Sequence, residues 1–394
     1  MKIDTNIQKI NELLERGVSE AIEIKHLKEQ LISGRKLRVK LGIDPTSPNL
    51  HLGRAVALLK LRDFQLLGHQ IVFIVGDFTG VIGDTSDKES ERPMLLEKQV
   101  KENMKNYLKQ AAKILDIKKT EVYYNSNWLK KLGYKEICAQ ADQFSLSDFI
   151  SRENIKKRLG AGKRVSLREV LYPLMQGYDS VAVKADIELG GVDQRFNLLA
   201  GRSLQNYYKQ IPQDILMTNL ISGADSRKMS SSWGNTINIA DEPKEIFGKI
   251  MSMPDNIMVS YLEHCTRIPM EKVKEYEKQL NNKETNPADI KLILAYEITK
   301  LCWNEKKAEE AKNYFISVFR KKEIPTEMKE FQLAGENIID ALIQSGLAKS
   351  KSDARRLIEQ NSIKINNETV TSIEKTVQKN DLIQKGKRFF VKII

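Results

Sequence analysis

A histidine, a glycine and an arginine lie close together where a short apolar run gives way to a helical pattern. The run is LRVKLGI (37–43), and the three residues are His51, Gly53 and Arg54 in PTSPNLHLGRAV (45–56). The first turn of a helix has unpaired N–H groups and partial positive charge, so it attracts phosphate. His51 could donate a hydrogen bond to a phosphoryl oxygen, Gly53 would let a ligand approach the backbone, and Arg54 adds positive charge. Taken alone, the stretch is more typical of a simpler arrangement, in which His51 only caps the helix and Arg54 faces water.

A second group of cations and hydroxyls lies far along the chain, in DSRKMSSSWGN (225–235). A loop of this kind can bring Lys228 and the hydroxyl of Ser231 to a triphosphate while charge moves to pyrophosphate. Thr46 could add a further hydroxyl beside His51. By itself, the loop is also typical of an ordinary flexible connection. A common role for the two segments requires a fold that brings them together.

The residues around His51 predict a strand, a helix and a second strand. The strands are 37–43 and HQIVFIVGDF (69–78), and HLGRAVALLKLRDFQLLG (51–68) between them has apolar residues at helical spacing. Such a βαβ unit implies a parallel sheet that binds ligands at the carboxyl ends of its strands.

The α/β pattern returns after a long interval. Further strands are predicted at ADIELGG (185–191) and DILMTNLIS (214–222). Residues 91–134 look helical with a break near position 120, and residues 145–183 are basic and partly helical. Residues 5–33 also have a helical pattern. One nucleotide-binding type of fold is thus predicted to be split by an insertion.

The usual phosphate-binding loops are missing from the sequence. KKRLGAGKRVS (156–166) has Lys157 where a P-loop needs glycine and Arg164 where it needs serine or threonine. No GxGxxG follows the first predicted strand. These differences argue against a P-loop NTPase and against a dinucleotide-dependent oxidoreductase.

The composition indicates a basic protein with two or three domains, because 394 residues exceed what one core usually serves. The net charge of +12 favours a polyanionic partner such as nucleic acid, although solvated lysines alone would also account for it. Three scattered cysteines and four histidines form no CxxC or HxxxH pattern, which argues against a disulfide framework or a zinc site. Because no signal peptide and no apolar run of roughly 18 residues is found, we expect a cytoplasmic protein without a membrane partner.

HLGR and KMSSS together resemble the two signatures of class I aminoacyl-tRNA synthetases, which are usually written HIGH and KMSKS. The surrounding segments resemble bacterial tyrosyl-tRNA synthetases, and they are LGIDPTSPNLHLG, VGDFTGVIGD, LYPLMQGYDS and ELGGVDQRFNLLAGR. The resemblance covers nearly the whole chain. It implies a tyrosine–tRNA ligase that converts L-tyrosine and ATP to tyrosyl-adenylate and pyrophosphate. The tyrosyl group would then pass to the 3′-terminal adenosine of tRNA(Tyr).

Tyr172, Gln176 and Asp179 are spaced so that they share one face of a helix, where a tyrosine pocket could form. Asp179 could accept the hydrogen bond of the substrate phenol. The resemblance assigns the substrate amine to Tyr172, Gln176 and Asp84. It also places a second phenol contact, a tyrosine in the family, at the position of Lys40. The lysine is a departure from that pattern.

The resemblance further implies an ATP site. Its expected residues are Asp44, His51, Gly53, Asp193, Gln194, Lys228 and Ser231. A carboxylate at a βα turn, such as that of Asp193, can accept two hydrogen bonds from ribose hydroxyls.

The segment GDTSDKESER (83–92) is expected to help the pyrophosphate leave. Lys88 and Arg92 fall on family positions that steady this group. Thr85 and Asp87 replace the family's proline and glycine, and Asp87 adds a negative charge.

Two further departures affect the signatures themselves. Arg54 replaces the second histidine of the first, and Ser231 replaces the second lysine of the other, so Lys228 is its only cation. Arg54 could restore part of the missing charge. The expected catalytic residues are Thr46, His51, Arg54, Lys88, Arg92 and Lys228.

The last 64 positions, 331–394, form a basic segment with eleven Lys/Arg and seven Asp/Glu. GLAKSKSDARRLIEQNSIKINNETV resembles the RNA-binding domain shared with the ribosomal small-subunit protein S-four. Four cations would lie at and just inside a helix N-terminus and contact phosphates, namely Lys349, Lys351, Arg355 and Arg356. A solvated basic helix is the alternative.

The resulting expectation is an α/β chain with three parts. A Rossmann-like parallel-sheet catalytic domain (1–222) is split by a helical insertion at about 91–184, an all-helical anticodon-binding domain with the KMSKS-type loop follows (223–325), and a small α+β RNA-binding domain ends the chain (331–394). The resemblance implies a homodimer formed through the insertion. Mg²⁺ should accompany ATP, without a dedicated carboxylate cage, without any protein metal ligand and without a tightly bound cofactor.

Two other functions stay open at this point. A tryptophanyl-tRNA synthetase shares the architecture, although the pocket residues argue against it. The altered signatures would also suit a non-catalytic RNA-binding relative of a synthetase.

Overall fold

The computed structural model describes residues 2–85, 93–320, 328–386 and 389–394. The chain forms two compact units, one ending at Ala308 and the other comprising Glu309–Ile394. No helix among the described residues has the length and apolar character needed to cross a membrane.

A six-stranded sheet forms the centre of the first unit. Its strands are β1 (Val18–Ile22), β2 (Arg38–Ile43), β3 (Gln70–Val75), β4 (Thr120–Tyr124), β5 (Ile187–Gly191) and β6 (Asp214–Thr218). Their order across the sheet is β1-β6-β5-β2-β3-β4. The edge strand β1 is antiparallel to β6, and the other described neighbours are parallel. The predicted mixed α/β fold with a parallel-sheet core is therefore confirmed.

Strand β3, QIVFIV, is apolar after its first residue, as is typical of a strand in the interior of a parallel sheet. In β3 every residue after Gln70 is buried. Strands β2 and β3 pair in register, so that Ile43 lies opposite Val75 at their carboxyl ends. Residues that directly follow these strands, such as Asp44 and Gly76, therefore meet at one edge of the sheet.

Helices make up most of the remainder of the first unit. They are α1 (Ile7–Glu15), α2 (Ile24–Ile32), α3 (Leu52–Leu66), α4 (Thr79–Ile82), α5 (Glu97–Met104), α6 (Tyr107–Ala111), α7 (Ser126–Leu129), α8 (Tyr134–Ala141), α9 (Leu146–Ile150), α10 (Glu153–Gly160), α11 (Leu167–Val183), α12 (Arg195–Tyr207), α13 (Pro243–Met251), α14 (Met258–Cys265), α15 (Met270–Asn281), α16 (Pro287–Cys302) and α17 (Glu305–Phe315), which runs into the second unit. Single 3₁₀ turns cover Ile117–Lys119, Val192–Gln194, Ser231–Trp233 and Asp255–Ile257, and a π-helical turn covers Ile316–Arg320.

Helices α11 and α12 pack closely against one another beside the sheet. A Cβ atom on Gly177 of α11 would lie 3.0 Å from the carbonyl carbon of Ala200 in α12. Glycine at this position therefore brings the two backbones together. This packing fixes the face of α11 that carries the predicted tyrosine-binding residues.

The second unit contains a five-stranded sheet and two short helices. The strands are β7 (Lys329–Phe331), β8 (Ile363–Ile365), β9 (Glu368–Thr369), β10 (Leu382–Lys385) and β11 (Phe389–Ile393), in the order β7-β11-β10-β8-β9, and the helices are α18 (Ile338–Gln344) and α19 (Lys351–Glu359). Ile338, Leu342, Ile358, Ile363 and Ile383 belong to their common core. The mixture of helices and strands expected for the end of the chain is confirmed.

Two strands interrupt the predicted helical segments. Residues 5–33 contain β1, which starts directly after Gly17, whose φ of +61° ends the preceding helix. Residues 91–134 contain β4, which starts at the break predicted near position 120 and pairs with β3 inside the predicted insertion. Both are five-residue edge strands and β4 is only half-buried, so their apolar pattern is weak.

A buried ion pair joins α10 to α11 and generates a stability prediction. The Arg158 guanidinium lies 2.5 and 3.0 Å from the two carboxylate oxygens of Glu169, and both side chains are buried. We expect Arg158→Met to lower the free energy of unfolding by about 3 kcal/mol or more, because it leaves a buried carboxylate without its cation. Urea unfolding followed by circular dichroism measures this change.

The double variant Arg158→Met/Glu169→Gln serves as its control. It removes both charges and keeps the glutamate-type oxygen that accepts a hydrogen bond from the Ser166 backbone. We expect it to be more stable than the single variant. A double variant that is equally unstable would contradict the interpretation that the unpaired charge is the cause.

Candidate active site

The carboxyl ends of the parallel strands open into a cavity of about 1440 Å³. Many residues predicted to bind tyrosine or ATP line it, namely Asp44, Thr46, His51, Gly53, Arg54, Asp84, Tyr172, Gln176, Asp179, Asp193, Gln194, Lys228 and Ser231. The fold thus brings together segments that are separated by almost 190 positions in the sequence.

Asp44 lies at the base of the cavity, directly after β2. Its carboxylate accepts hydrogen bonds from the Thr79 hydroxyl (2.7 Å) and the Tyr172 phenol (2.8 Å). Burial raises the pKa of Asp44 to about 6. A side chain on Gly76 would collide with the Asp44 carboxylate and the Thr79 hydroxyl, so glycine is required where β3 ends.

A chain of hydrogen bonds continues from Thr79 to Asp179. The Asn125 amide donates both to the Thr79 hydroxyl (2.8 Å) and to Asp179 Oδ2 (3.2 Å), and the Trp128 indole donates to Asp179 Oδ1 (2.7 Å). Burial raises the pKa of Asp179 to about 7. Sequence reasoning missed Asn125 and Trp128, because it did not recognise β4, the strand they follow.

Tyr172, Gln176 and Asp179 all face the cavity from α11, as their spacing predicted. Burial, followed by the charge of Asp44, raises the pKa of Tyr172 well above its usual value, so its phenol stays a donor. Asp84 also lines the cavity and accepts a hydrogen bond from Gln194 (2.7 Å). One pocket therefore offers several carboxylates and amides, which suits a small molecule with a hydroxyl and an ammonium group.

Lys40 is placed differently from its prediction. It is fully buried on β2 and is not part of the cavity wall. Its ammonium group donates to the Gln176 carbonyl, the Ser180 hydroxyl and the Glu188 carboxylate, at 3.0, 2.7 and 2.7 Å. These three acceptors use its three N–H groups. The expectation that Lys40 lies in the tyrosine pocket is therefore corrected.

His51 occupies the N-cap of α3, yet its side chain makes no capping hydrogen bond. Its ring packs against Gly53, where a Cβ atom would lie 3.0 Å from Nδ1. Burial, followed by the charges of Arg54 and Lys228, lowers the pKa of His51 to about 3, so the imidazole is neutral. Glycine at position 53 thus makes room for the His51 ring, and it also lines the cavity.

Arg54 does not face water but holds the turn that follows β2. Its guanidinium donates to the Thr46 hydroxyl (2.7 Å), the Tyr107 hydroxyl (2.5 Å) and the Asp44 carbonyl (3.1 Å). The simpler arrangement for His51 and Arg54, a cap and a solvated cation, is therefore wrong for both residues. Tyr107 was missed because nothing in its surroundings marked it.

The loop at 225–235 closes over the start of α3. Lys228 Nζ lies 2.9 Å from the Asp193 carboxylate, and the Gly53 backbone N–H points to Met229 Sδ at 3.3 Å. Ser231 Oγ lies 3.3 Å from Ser47 Oγ. The predicted convergence of the two signature segments is thus confirmed.

Asn235 gives the same loop its shape. Its amide nitrogen donates to Asp225 (2.7 Å) and to the Lys228 carbonyl (3.1 Å), and its oxygen accepts from the Ser230 N–H (2.9 Å). Asparagine side chains often form hydrogen bonds of this kind in turns. The position of Asn235 directly after SSSWG could therefore have indicated its structural role.

Apart from Lys40, the predicted residues outside the cavity fall into two groups. Lys88 and Arg92 lie outside the described residues. The four cations at and just inside the start of α19 are exposed, namely Lys349, Lys351, Arg355 and Arg356. Within the described ranges, no group of three His, Cys, Asp or Glu side chains could hold a metal ion.

Comparisons with known proteins agree with this geometry. Residues 33–320 match the family "tRNA synthetases class I (W and Y)", and residues 318–392 match "Tyrosine--tRNA ligase SYY-like C-terminal domain". Tyrosine–tRNA ligase from Thermotoga maritima is 44% identical over 97% of this chain and 96% of its own length. The enzyme of that name from Dehalococcoides mccartyi strain CBDB1 is 46% identical over 98% of both.

Solved structures share the fold at lower identity. The tyrosyl-tRNA synthetase of Archaeoglobus fulgidus, complexed with L-tyrosine, is 21% identical and superposes with a TM-score of 0.62, covering 77% of this chain and 99% of that one. A C-terminally truncated mitochondrial tyrosyl-tRNA synthetase from Aspergillus nidulans gives 0.66 at 20% identity, over 79% and 94%. The chain therefore belongs to the class I tRNA synthetases for tryptophan and tyrosine, and within them to the tyrosine–tRNA ligases.

Proposed function

We propose that the cavity binds L-tyrosine beside ATP, so that the carboxylate of tyrosine attacks the α-phosphorus and pyrophosphate leaves. The observation that carries this proposal is the meeting of His51, Lys228 and Asp193 in the cavity that also contains Asp179. No protein nucleophile is needed, because positioning and electrostatic stabilisation account for catalysis of this type. The tyrosyl group then passes to the 3′-terminal adenosine of tRNA(Tyr).

Tyrosine is recognised at both of its polar ends in this proposal. The Asp179 carboxylate accepts the phenol hydrogen, while Tyr172, Gln176 and Asp84 bind the ammonium group. Phenylalanine would leave the buried acceptor without its hydroxyl partner, which is costly. The relatives at 44–46% identity are tyrosine–tRNA ligases, which supports tyrosine rather than tryptophan as the substrate.

ATP is bound across the start of α3 and the 225–235 loop. Asp193 accepts the ribose hydroxyls, and Asp44, Gly53 and Gln194 surround the nucleotide. Lys228 exchanges its contact with Asp193 for a phosphate, while neutral His51 donates a hydrogen bond to the phosphates.

Two further groups stabilise the phosphates in this proposal. Thr46 and Ser231 supply hydroxyls, and Arg54 holds Thr46 in place. Lys88 and Arg92 steady the departing pyrophosphate. Mg²⁺ enters with the phosphates of ATP, and no other cofactor takes part.

The remaining parts of the chain serve tRNA binding and assembly. We assign catalysis to residues 1–222, anticodon binding to 223–325 and RNA-backbone binding to 331–394. The insertion between the two halves of the sheet carries exposed apolar side chains, including Tyr134, which is 90% exposed. This exposure supports a homodimer formed through the insertion. Aminoacylation of tRNA takes place in the cytoplasm in this proposal.

ATP–pyrophosphate exchange tests the proposed function. We expect exchange with tyrosine and essentially none with tryptophan or phenylalanine. Asp179→Asn should lower kcat/KM for tyrosine by about 10- to 100-fold, because it weakens a charge-assisted hydrogen bond, while KM for ATP changes little. Exchange driven by tryptophan would assign the chain to the related enzyme. No exchange with any amino acid would favour a non-catalytic RNA-binding protein.

Arg54 offers a test of the altered first signature. Arg54→Ala should lower the rate of tyrosine activation by about tenfold or more, because Thr46 loses its anchor and the site loses a cation. Tyr107→Phe is the matched control, since it removes one partner of Arg54 and retains the charge. Stopped-flow measurement of adenylate formation compares them. An Arg54→Ala variant with the parental rate would refute the role.

The four exposed cations of α19 provide a test in the full-length chain. We expect simultaneous replacement of Lys349, Lys351, Arg355 and Arg356 by alanine to weaken tRNA charging and to flatten its salt dependence, because phosphate contacts release counterions. Pyrophosphate exchange in the absence of tRNA should stay at the parental level. Deletion of residues 331–394 should give the same pattern. Equal losses in charging and exchange would contradict an RNA-binding role for this segment.

A further inference from the structure

A buried charge pair lies directly behind the wall of the tyrosine pocket. Lys40 on β2 and Glu188 on β5 stand opposite one another in paired strands, 0% and 1% exposed, with 2.7 Å between Nζ and Oε1. Such a pair persists in a protein interior only when its remaining hydrogen-bonding groups are satisfied. The hydrogen-bond partners of Lys40 and Glu188 indicate the role of the pair.

Both charges are bonded to α11, the helix that carries the pocket residues. Lys40 donates to the Gln176 carbonyl (3.0 Å) and the Ser180 hydroxyl (2.7 Å). Ser180 in turn donates to Glu188 Oε2 (2.9 Å), and the Gln176 amide lies 3.4 Å from Glu188 Oε1. The pair therefore attaches α11 to the sheet on either side of Asp179, at the turn that faces the substrate.

Helix α12 is shaped around the same network. The Gln213 amide, next to β6, also donates to Glu188 Oε2. A Cβ atom on Gly201 of α12 would lie 3.1 Å from Ser180 Oγ and 3.3 Å from Glu188 Oε2. Gly201 thus provides room for the side chains of Ser180 and Glu188.

The pair also sets the electrostatic environment of Asp179. Burial, the largest influence, raises the pKa of that carboxyl to about 7, while the charge of Lys40 lowers it and the charge of Glu188 raises it. Tyr172, the other titratable group facing Asp179, stays a neutral phenol because burial raises its pKa. The remaining hydrogen-bond donors to Asp179 are an amide and an indole, which do not titrate.

We propose that Lys40 and Glu188 form a positioning pair for tyrosine recognition. Lys40 anchors α11 so that Gln176 and Asp179 face the substrate, and its positive charge favours the carboxylate form of Asp179, which accepts the phenol. The inference rests on the proposed function, since it concerns the same pocket. It gives Lys40 a role in specificity without contact with the substrate.

The dissociation constant of tyrosine, measured by calorimetry without ATP at roughly pH 5 to 9, tests this role. Tyrosine binding should weaken as the pH falls through about 7 and Asp179 becomes protonated, before Asp44, with its pKa of about 6, takes up its proton. Lys40→Met should move this transition to higher pH by roughly one unit, because it removes a positive charge that favours the carboxylate form of Asp179. Glu188→Gln should move it to lower pH, because it removes a repelling charge and keeps an oxygen for Lys40.

The tyrosine affinity at pH values above the titration of Asp179 measures how well α11 is positioned. There Lys40→Met should weaken tyrosine binding by about tenfold or more, since α11 loses its anchor, whereas Glu188→Gln should bind nearly as the parent does. The double variant Lys40→Met/Glu188→Gln leaves no unpaired charge and provides the measurement if the single Lys40 variant does not fold. It should also bind tyrosine about tenfold more weakly at high pH.

Arg158→Met/Glu169→Gln is the matched control, because it removes both charges of a different buried ion pair, the one that joins α10 to α11. Its transition should coincide with that of the parent. Shifts of the two single variants in the same direction, or no shift, would overturn the electrostatic role, and parental affinity of the Lys40 variants at high pH would overturn the anchoring role. A parent that binds no tyrosine would instead refute the proposed function itself.

Discussion

Hydrogen bonds from neutral donors to two buried carboxylates are the interaction on which the site depends. Asp44 and Asp179 lose water on burial, which disfavours their charged forms. Tyr172, Thr79, Asn125 and Trp128 return part of that loss, and each donor thereby becomes fixed in orientation. Because Thr79 and Asn125 are themselves hydrogen-bonded, the two carboxylates belong to one continuous network. The floor of the cavity is thus set before a substrate enters.

The sheet supplies the geometry that makes this network possible. Strands β2, β3 and β4 are parallel and in register, so their carboxyl ends deliver Asp44, Gly76 and Asn125 to one edge. Helix α11 crosses above that edge and adds Tyr172 and Asp179. Each segment contributes few residues, and all of these residues must lie at the same edge of the sheet. Parallel pairing meets this requirement, because the carboxyl ends of neighbouring strands lie side by side.

Much of this arrangement could be predicted from the sequence, for identifiable reasons. The apolar run of β3 is buried after Gln70 and therefore easily recognised, and helical spacing was sufficient to place Tyr172 and Asp179 on one face. Strand β4 is a half-buried edge strand, so Asn125 and Trp128 were lost with it. The position of Lys40 could not be predicted either. Its partner Glu188 lies on a strand far away in the sequence, and the sequence does not show which residues of the two strands lie opposite one another.

The close approach of α11 and α12 at Gly177 limits how the pocket can change. A side chain at position 177 would collide with the Ala200 backbone, so the two helices keep this spacing only with glycine there. Variants with an altered choice of amino acid would therefore arise by exchanging side chains on the cavity face of this helix, while its axis stays where it is. The contact at Gly177 therefore constrains the helix axis, whereas the side chains on the cavity face of α11 can change.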